Sequence, residues 1–262
     1  RVNQGLPEQP VMLSLELYGL LSEAFAWAEA TGGAFHPAVG PYIDAWDLRG
    51  AGRVPPAGVL KEAERAARLE VWRLVDTPPQ VQRQHISAWI DTGGFGKGAA
   101  LRSAARHLHE AGSAGSRLLA DLGGQVWARA PEDHPWRVGV AHPLERAEPV
   151  AWLALHDVSA ATSGTSERFV EVGDARYGHI LDARSGRPAP AWGSVTVVHS
   201  DAMVADVLAT ALYVMGPEEG LRWLEGHPEI AALFVDVRGD GLRSLWTDSM
   251  EPWLEHNPED PS

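Results

Sequence analysis

Apolar positions along the chain recur at two spacings, and the switch between them separates predicted helices from predicted strands. From Ser14, a good N-cap, Leu17, Leu20, Leu21 and Phe25 fall at helical spacing, and Thr31-Gly32-Gly33 supplies the stop. A turn-rich stretch follows at Phe35-His36-Pro37-Ala38-Val39-Gly40-Pro41. A second helix is predicted over 56–69, with Leu60, Ala63 and Ala67 inward. Short strand-like runs at 71–75 and 87–90 then lead into a glycine-rich loop. Beyond it, Leu101, Ala104, Ala105 and Leu108 predict a helix over 99–111, closed by Gly112 in the left-handed region.

Strand patterns then dominate, at 117–120, 125–128, 136–140, 150–155, 168–172 and 194–198. A last helical region covers 201–215 and then 217–224, before closing strands at 231–235 and 242–246. Helices and strands alternate without a regular βαβ rhythm. The expected fold is therefore α+β, a layered domain of mixed sheets with flanking helices, and the 262 residues are read as one domain spanning 1–262.

Composition narrows the chemistry. A net charge of −13 argues against a nucleic-acid surface, which clustered Lys and Arg would have to provide. The absence of cysteine excludes disulfides, thiolate metal sites and cysteine nucleophiles. No apolar run approaches the ~20 residues of a membrane-spanning helix, and the first residues show no secretory signal. An anionic ligand must accordingly be met locally, by a loop, a helix end or a metal.

Three clusters carry candidate chemistry. The first is Asp91-Thr92-Gly93-Gly94-Phe95-Gly96-Lys97-Gly98, where glycines allow close backbone approach, a helix start favours an anion, and Lys97 adds charge. It meets neither the Walker A nor the dinucleotide-binding spacing. For the loop taken alone, a Gly-rich turn between a strand and a helix outweighs that reading. Ile90-Asp91-Thr92-Gly93-Gly94 is echoed by Ala120-Asp121-Leu122-Gly123-Gly124, which reads either as two walls of one ligand site or as two tight strand exits.

The second cluster places Asp206 and Thr210 four residues apart on one helix face, at the margin of a core face formed by Met203, Val207, Leu208, Ala211 and Met215. Such oxygen donors suit Mg²⁺, which takes few protein carboxylates when phosphates complete its shell. A solvated Asp beside a Thr bonded to its own helix has the same spacing. The third cluster, residues 177–188, sets His179 at a strand end before a turn with two arginines. His179 suits a general acid or base, or a donor to phosphate, although a structural histidine is the commoner case.

Taken in order, these clusters resemble the ApbE family of flavin transferases. The family's Thr-Gly-Gly-x-Phe-Asp-Pro-x-Val-Gly-Pro turn is similar to residues 31–41, and its Asp-x-Gly-Gly-x-x-Lys-Gly loop to 91–98. Leu-Gly-Gly recurs at 122–124, Ala-Thr-Ser-Gly at 161–164, His-Ile-x-Asp-x-x-x-Gly-x-Pro at 179–188, and Asp-x-Leu-Ala-Thr-Ala at 206–211. Two departures stand out: His36 replaces the family's usual Asp, and the family's segment ahead of Arg1, with its Met-Gly-Thr strand covering FAD, is expected to be lacking.

The resemblance implies an ApbE-like, T-fold-like domain that uses Mg²⁺ and takes FAD as substrate. It implies transfer of FMN to a threonine or serine hydroxyl of an acceptor protein, with release of AMP. By the same resemblance the metal falls to Gly94, Asp206 and Thr210, and FAD contacts to Asp91, Lys97 and His179; the base that takes the hydroxyl proton is read separately as His179 or a nearby carboxylate. The alternatives are an FAD pyrophosphatase giving FMN and AMP, and a non-catalytic FAD-binding protein. The resemblance suggests the cell envelope or periplasm, whereas the chain shows no export signal or lipobox cysteine, which leaves the cytoplasm open.

Overall fold

The computed structural model describes residues 1–112, 116–145, 147–164, 169–173, 175–239 and 241–255. The chain forms two compact units, one of Arg1–Gly94 with Glu167–Pro190, the other of Phe95–Ser166 with Ala191–Ser262. Helices and antiparallel sheets are combined in both, which is the α+β composition expected.

The first unit contains helices α1 (Leu15–Ala30), α2 (Gly40–Trp46) and α3 (Ala57–Ala67). Ser14 caps α1 by accepting the Leu17 N–H, and the chain leaves through Gly32 and Gly33, both at positive φ, with Gly33 N–H returning to the Ala28 carbonyl. The inward face of α1 is Leu21, Ala24 and Ala28; Leu17 is exposed, and Leu20 and Phe25 are half-buried. Helix α2 begins inside the stretch read as a turn, because Pro41 sits in its first turn, where a missing N–H costs nothing. Its Tyr42, Ile43 and Trp46 pack with Ala63 and Ala67 of α3 and with Leu181.

A three-stranded sheet joins Val11–Met12, Pro79–Arg83 and Trp72–Asp76. The strand expected at 87–90 is absent and the one at Pro79–Arg83 was not anticipated. Ile90 has its ladder replaced by a side chain: Asn3 accepts its N–H at 2.8 Å and donates to its carbonyl at 2.9 Å. The hairpins Phe169–Val172 with Ala175–Gly178, and Leu181–Asp182 with Arg187–Pro188, complete this unit. Arg168, at the start of the expected 168–172 strand, lies outside the described residues.

The second unit is built on a six-stranded antiparallel sheet in the spatial order Gly241–Trp246, Ala231–Arg238, Gly193–His199, Val158–Gly164, Gln125–Arg129 and Leu118–Leu122. Period-two alternation sends Val126, Ala128, Val158 and Ala160 to one face. There the hairpin Trp136–Ala141 with Pro149–Leu155 and the turn carrying Met250 cover them. The opposite face, with Gln125, Trp127 and Ser159, is covered by α4 (Gly96–Glu110) and α5 (Ala202–Leu224).

Helix α5 is not a surface helix with one apolar stripe. Residues 202–209 and 211–215 are all buried, and Gly216, at φ 72° and ψ 174°, interrupts it before Pro217. This places the break between the two helical stretches expected from the sequence.

Candidate functional site

Asp206 is 3% exposed, inside the second unit rather than at a solvated margin, because α5 is packed on all sides there. A buried carboxylate needs partners, and both oxygens have one. Lys97 Nζ stands 3.0 Å from Oδ1, and the Gly98 N–H donates to Oδ2 at 2.9 Å. The first turn of α4 therefore delivers an ammonium and a backbone amide to one carboxylate of α5.

Gly98 makes that delivery possible. A Cβ at this position would lie 2.3 Å from the Ala202 carbonyl oxygen and 2.6 Å from the Met203 Cα, both backbone, so only glycine allows the approach. The start of α5 is fixed independently. Asp201 accepts the N–H groups of Met203 and Val204, and Arg102 of α4 donates to the same carboxylate at 2.8 Å.

Thr210 lies one turn beyond Asp206 on the same face and is half-buried. Among the described residues no group of three or more His, Asp or Glu converges. A carboxylate and a hydroxyl one turn apart nonetheless fit a hard divalent cation that takes most of its ligands from substrate and water. The Gly123-Gly124 segment is a hairpin turn, with both residues at positive φ, and a Cβ at Gly123 would stand 3.8 Å from Lys97 Cδ. Of the two echoing Gly-Gly segments, this is the one that ends a strand.

In the first unit, Asp91 is held at both oxygens. Arg49 donates to Oδ1 at 2.6 Å and the Gly93 N–H to Oδ2 at 2.8 Å. Its own N–H reaches the Pro37 carbonyl, which ties the glycine-rich loop to the turn at 31–41. Arg49 stacks 4.6 Å over Trp89, whose indole N–H donates to Asp44. Gly94 is the last residue of this unit, so the loop read as one feature spans the boundary. His179 directly follows the strand Ala175–Gly178 and is half-buried.

His36 borders a cavity of about 360 Å³, together with Gly33, Tyr42, Glu64, Glu70 and Arg184. Burial pushes its pKa down to about 4, against a smaller upward pull from Glu70, and its Nδ1 accepts the Ala38 N–H, as a neutral imidazole can. Burial likewise pushes the Tyr42 phenol up to about 12.

The structure thus brings Lys97 and Asp206 together, with Thr210 on the same helix, and holds Asp91 in a separate cluster of the first unit. Arg49 was not anticipated from the sequence. It belongs to no motif, and nothing local marks it as the partner of a residue 42 positions away.

The ApbE family profile matches residues 1–234. The FAD:protein FMN transferase of Treponema pallidum is 34% identical over 89% of this chain and 69% of its own length, and that of Klebsiella pneumoniae is 29% identical over 93% and 76%. The crystal structure of the ApbE protein from Thermotoga maritima superposes with a TM-score of 0.87 at 30% identity, covering 97% of this chain and 82% of that one. The flavin transferase ApbE from Vibrio cholerae gives 0.81 at 27%, over 96% and 81%. With the loop, the helix pair and the fold in agreement along almost its whole length, the chain belongs to the ApbE family.

Proposed function

We propose that the protein transfers FMN from FAD to the hydroxyl of a threonine or serine in an acceptor protein and releases AMP. A divalent cation, Mg²⁺, is assigned to Asp206 and Thr210 of the second unit, and the family resemblance adds the Gly94 carbonyl as a further ligand. The observation that carries this reading is the buried Asp206 carboxylate, gripped by the ammonium and the backbone amide of a glycine-rich helix start. The names of the relatives support FAD as donor and FMN as the group moved.

The reaction is a substitution at phosphorus. The acceptor oxygen attacks the FMN-side phosphorus, a new P–O bond forms, and the bond from that phosphorus to the bridging oxygen breaks. AMP leaves with the bridging oxygen, and the hydroxyl proton passes to a base, a role assigned to His179. When bound, Mg²⁺ supplies Lewis acidity and a clamp on phosphate oxygens. Asp206 and Thr210 present hard oxygen donors, and Lys97 offers positive charge where phosphate oxygens gain negative charge. Asp91, anchored by Arg49 and Gly93, is a fixed acceptor for donors on FAD.

The deciding experiment incubates the protein with FAD and Mg²⁺, with and without an acceptor domain bearing an exposed Thr or Ser. AMP with covalent flavin on the acceptor supports transfer. AMP and free FMN without acceptor mean hydrolysis instead. FAD that copurifies while neither product forms leaves a binding protein and overturns the proposal.

A further inference from the structure

Gln125 has no solvent exposure and lies on the helix-facing side of the six-stranded sheet. Its Nε2 donates to the Ala202 carbonyl at 2.7 Å and to Ser159 Oγ at 3.2 Å. The Ser159 hydroxyl donates in turn to the Val126 carbonyl, so it is an acceptor toward Gln125 and fixes which way the carboxamide faces. The other end, Oε1, is buried without a hydrogen-bond partner among the described residues. An unpaired buried acceptor weakens a fold. The position therefore holds a group that stability alone disfavours, the kind of local conflict that marks a functional constraint.

The carbonyl that Gln125 grips is no ordinary one. In an α-helix the N–H of residue i bonds the carbonyl of residue i−4, so the Ala202 oxygen is the acceptor for the amide of Asp206 itself. The same oxygen is the nearest obstacle to a side chain at position 98, and that close approach lets the Gly98 N–H reach Asp206 Oδ2. One atom thus joins the sheet, the start of α4 and the turn of α5 that carries Asp206.

We infer that Gln125 is a positioning residue for the cation held by Asp206. By anchoring the Ala202 carbonyl to the sheet it fixes the height and rotation of the first turn of α5, and with them the direction of the Asp206 carboxylate. Mg²⁺ accepts little departure from octahedral geometry, so a small slide of this turn weakens binding even when the carboxylate is intact. The inference rests on Asp206 being a metal ligand.

The test titrates Mn²⁺ alone into the full chain, with free Mn²⁺ read by electron paramagnetic resonance, and measures Tm on the same samples. Gln125→Met keeps the volume while deleting both the donor and the unpaired acceptor. Its Mn²⁺ affinity is expected to fall about tenfold, as for other groups that orient metal ligands, with Tm unchanged or raised. Ser159→Ala leaves Gln125 in place but frees its carboxamide, and should show a smaller loss in the same direction. Gln125→Met and Ser159→Ala variants that bind Mn²⁺ like the original chain overturn the inference, as does a parallel fall of affinity and Tm, which would mean a purely structural role. If instead the original chain shows no saturable Mn²⁺ binding, or Asp206→Asn binds as tightly, the metal assignment itself is overturned and the inference falls with it.

Discussion

Lys97 Nζ and Asp206 Oδ1 stand 3.0 Å apart across 109 positions of sequence, and the two partners are unequally sealed, at 36% and 4% side-chain exposure. The ammonium has a route to solvent and the carboxylate does not. The pair is thus anchored on its buried carboxylate side and open to water on its ammonium side.

Asp206→Asn keeps the shape and an oxygen that can accept the Gly98 N–H. Stability should fall by only about 1 kcal/mol, while cation-dependent AMP release drops at least about a hundredfold. Asp206→Ala also orphans that amide and should cost roughly 1–3 kcal/mol. Urea denaturation and chromatography of AMP check both, and an Asn variant at full activity would remove Asp206 from the site.

Gly98→Ala drives a methyl group into the backbone of Ala202 and Met203, which cannot yield as a flexible side chain does. The expected loss is about 3 kcal/mol or more, together with loss of turnover. A denaturation midpoint unchanged from that of the original chain would contradict the close packing of α4 on α5.

His36 makes the first unit sensitive to acid. Its folded pKa, about 4, lies below the ordinary 6.5, so the unfolded chain binds more protons between those values. The contribution is fully present above pH 6.5 and is lost as pH falls toward 4, at most about 3 kcal/mol. Unfolding free energies measured across that window should show a slope that His36→Phe flattens.

Arg49→Ala removes a guanidinium that is 66% exposed, so folding stability should change by less than about 1 kcal/mol. If Asp91 meets FAD, the KM for FAD should rise while the melting curve stays put. Steady-state kinetics with FAD varied, beside a thermal melt, separates the two effects.

Gly216→Ala meets only an ordinary contact, Trp192 Nε1 at 4.0 Å, but an unfavourable backbone, since φ 72° with ψ 174° suits only glycine. A destabilisation of roughly 1–3 kcal/mol is expected without change in cation affinity, because Asp206 lies more than two turns upstream. Calorimetry and Mn²⁺ titration on one preparation test this.

Helix α1 announced itself where cap and breaker agree, at Ser14 and Gly33, and the gap between the helical stretches 201–215 and 217–224 falls at Gly216. Two local signals misled. Ala88 and Ile90 alternate as a strand does, yet Asn3 supplies the hydrogen bonds a neighbouring strand would have given. Pro41 reads as a turn but opens a helix. The six candidate site residues were picked out because they sit in motifs, and of these the structure pairs Lys97 with Asp206. Arg49, Gln125 and the burial of Asp206 were not, since each depends on packing between segments far apart in the chain. Nor does the spacing of Asp91 and Lys97, six residues apart, indicate that they fall in different compact units.

From Ala202 to Met215, α5 offers almost no residue to water. A helix without a solvent face has hardly any position where substitution is silent. In a library of random variants this stretch should tolerate the fewest changes in the second unit, and those it accepts should come in compensating pairs with the sheet or with α4. The outer face of α3, where Lys61, Glu64 and Arg65 are exposed, is free to drift. The proposed cation ligands fall in this same tightly packed segment, so inactive variants there will need a folding measurement before they are counted as catalytic.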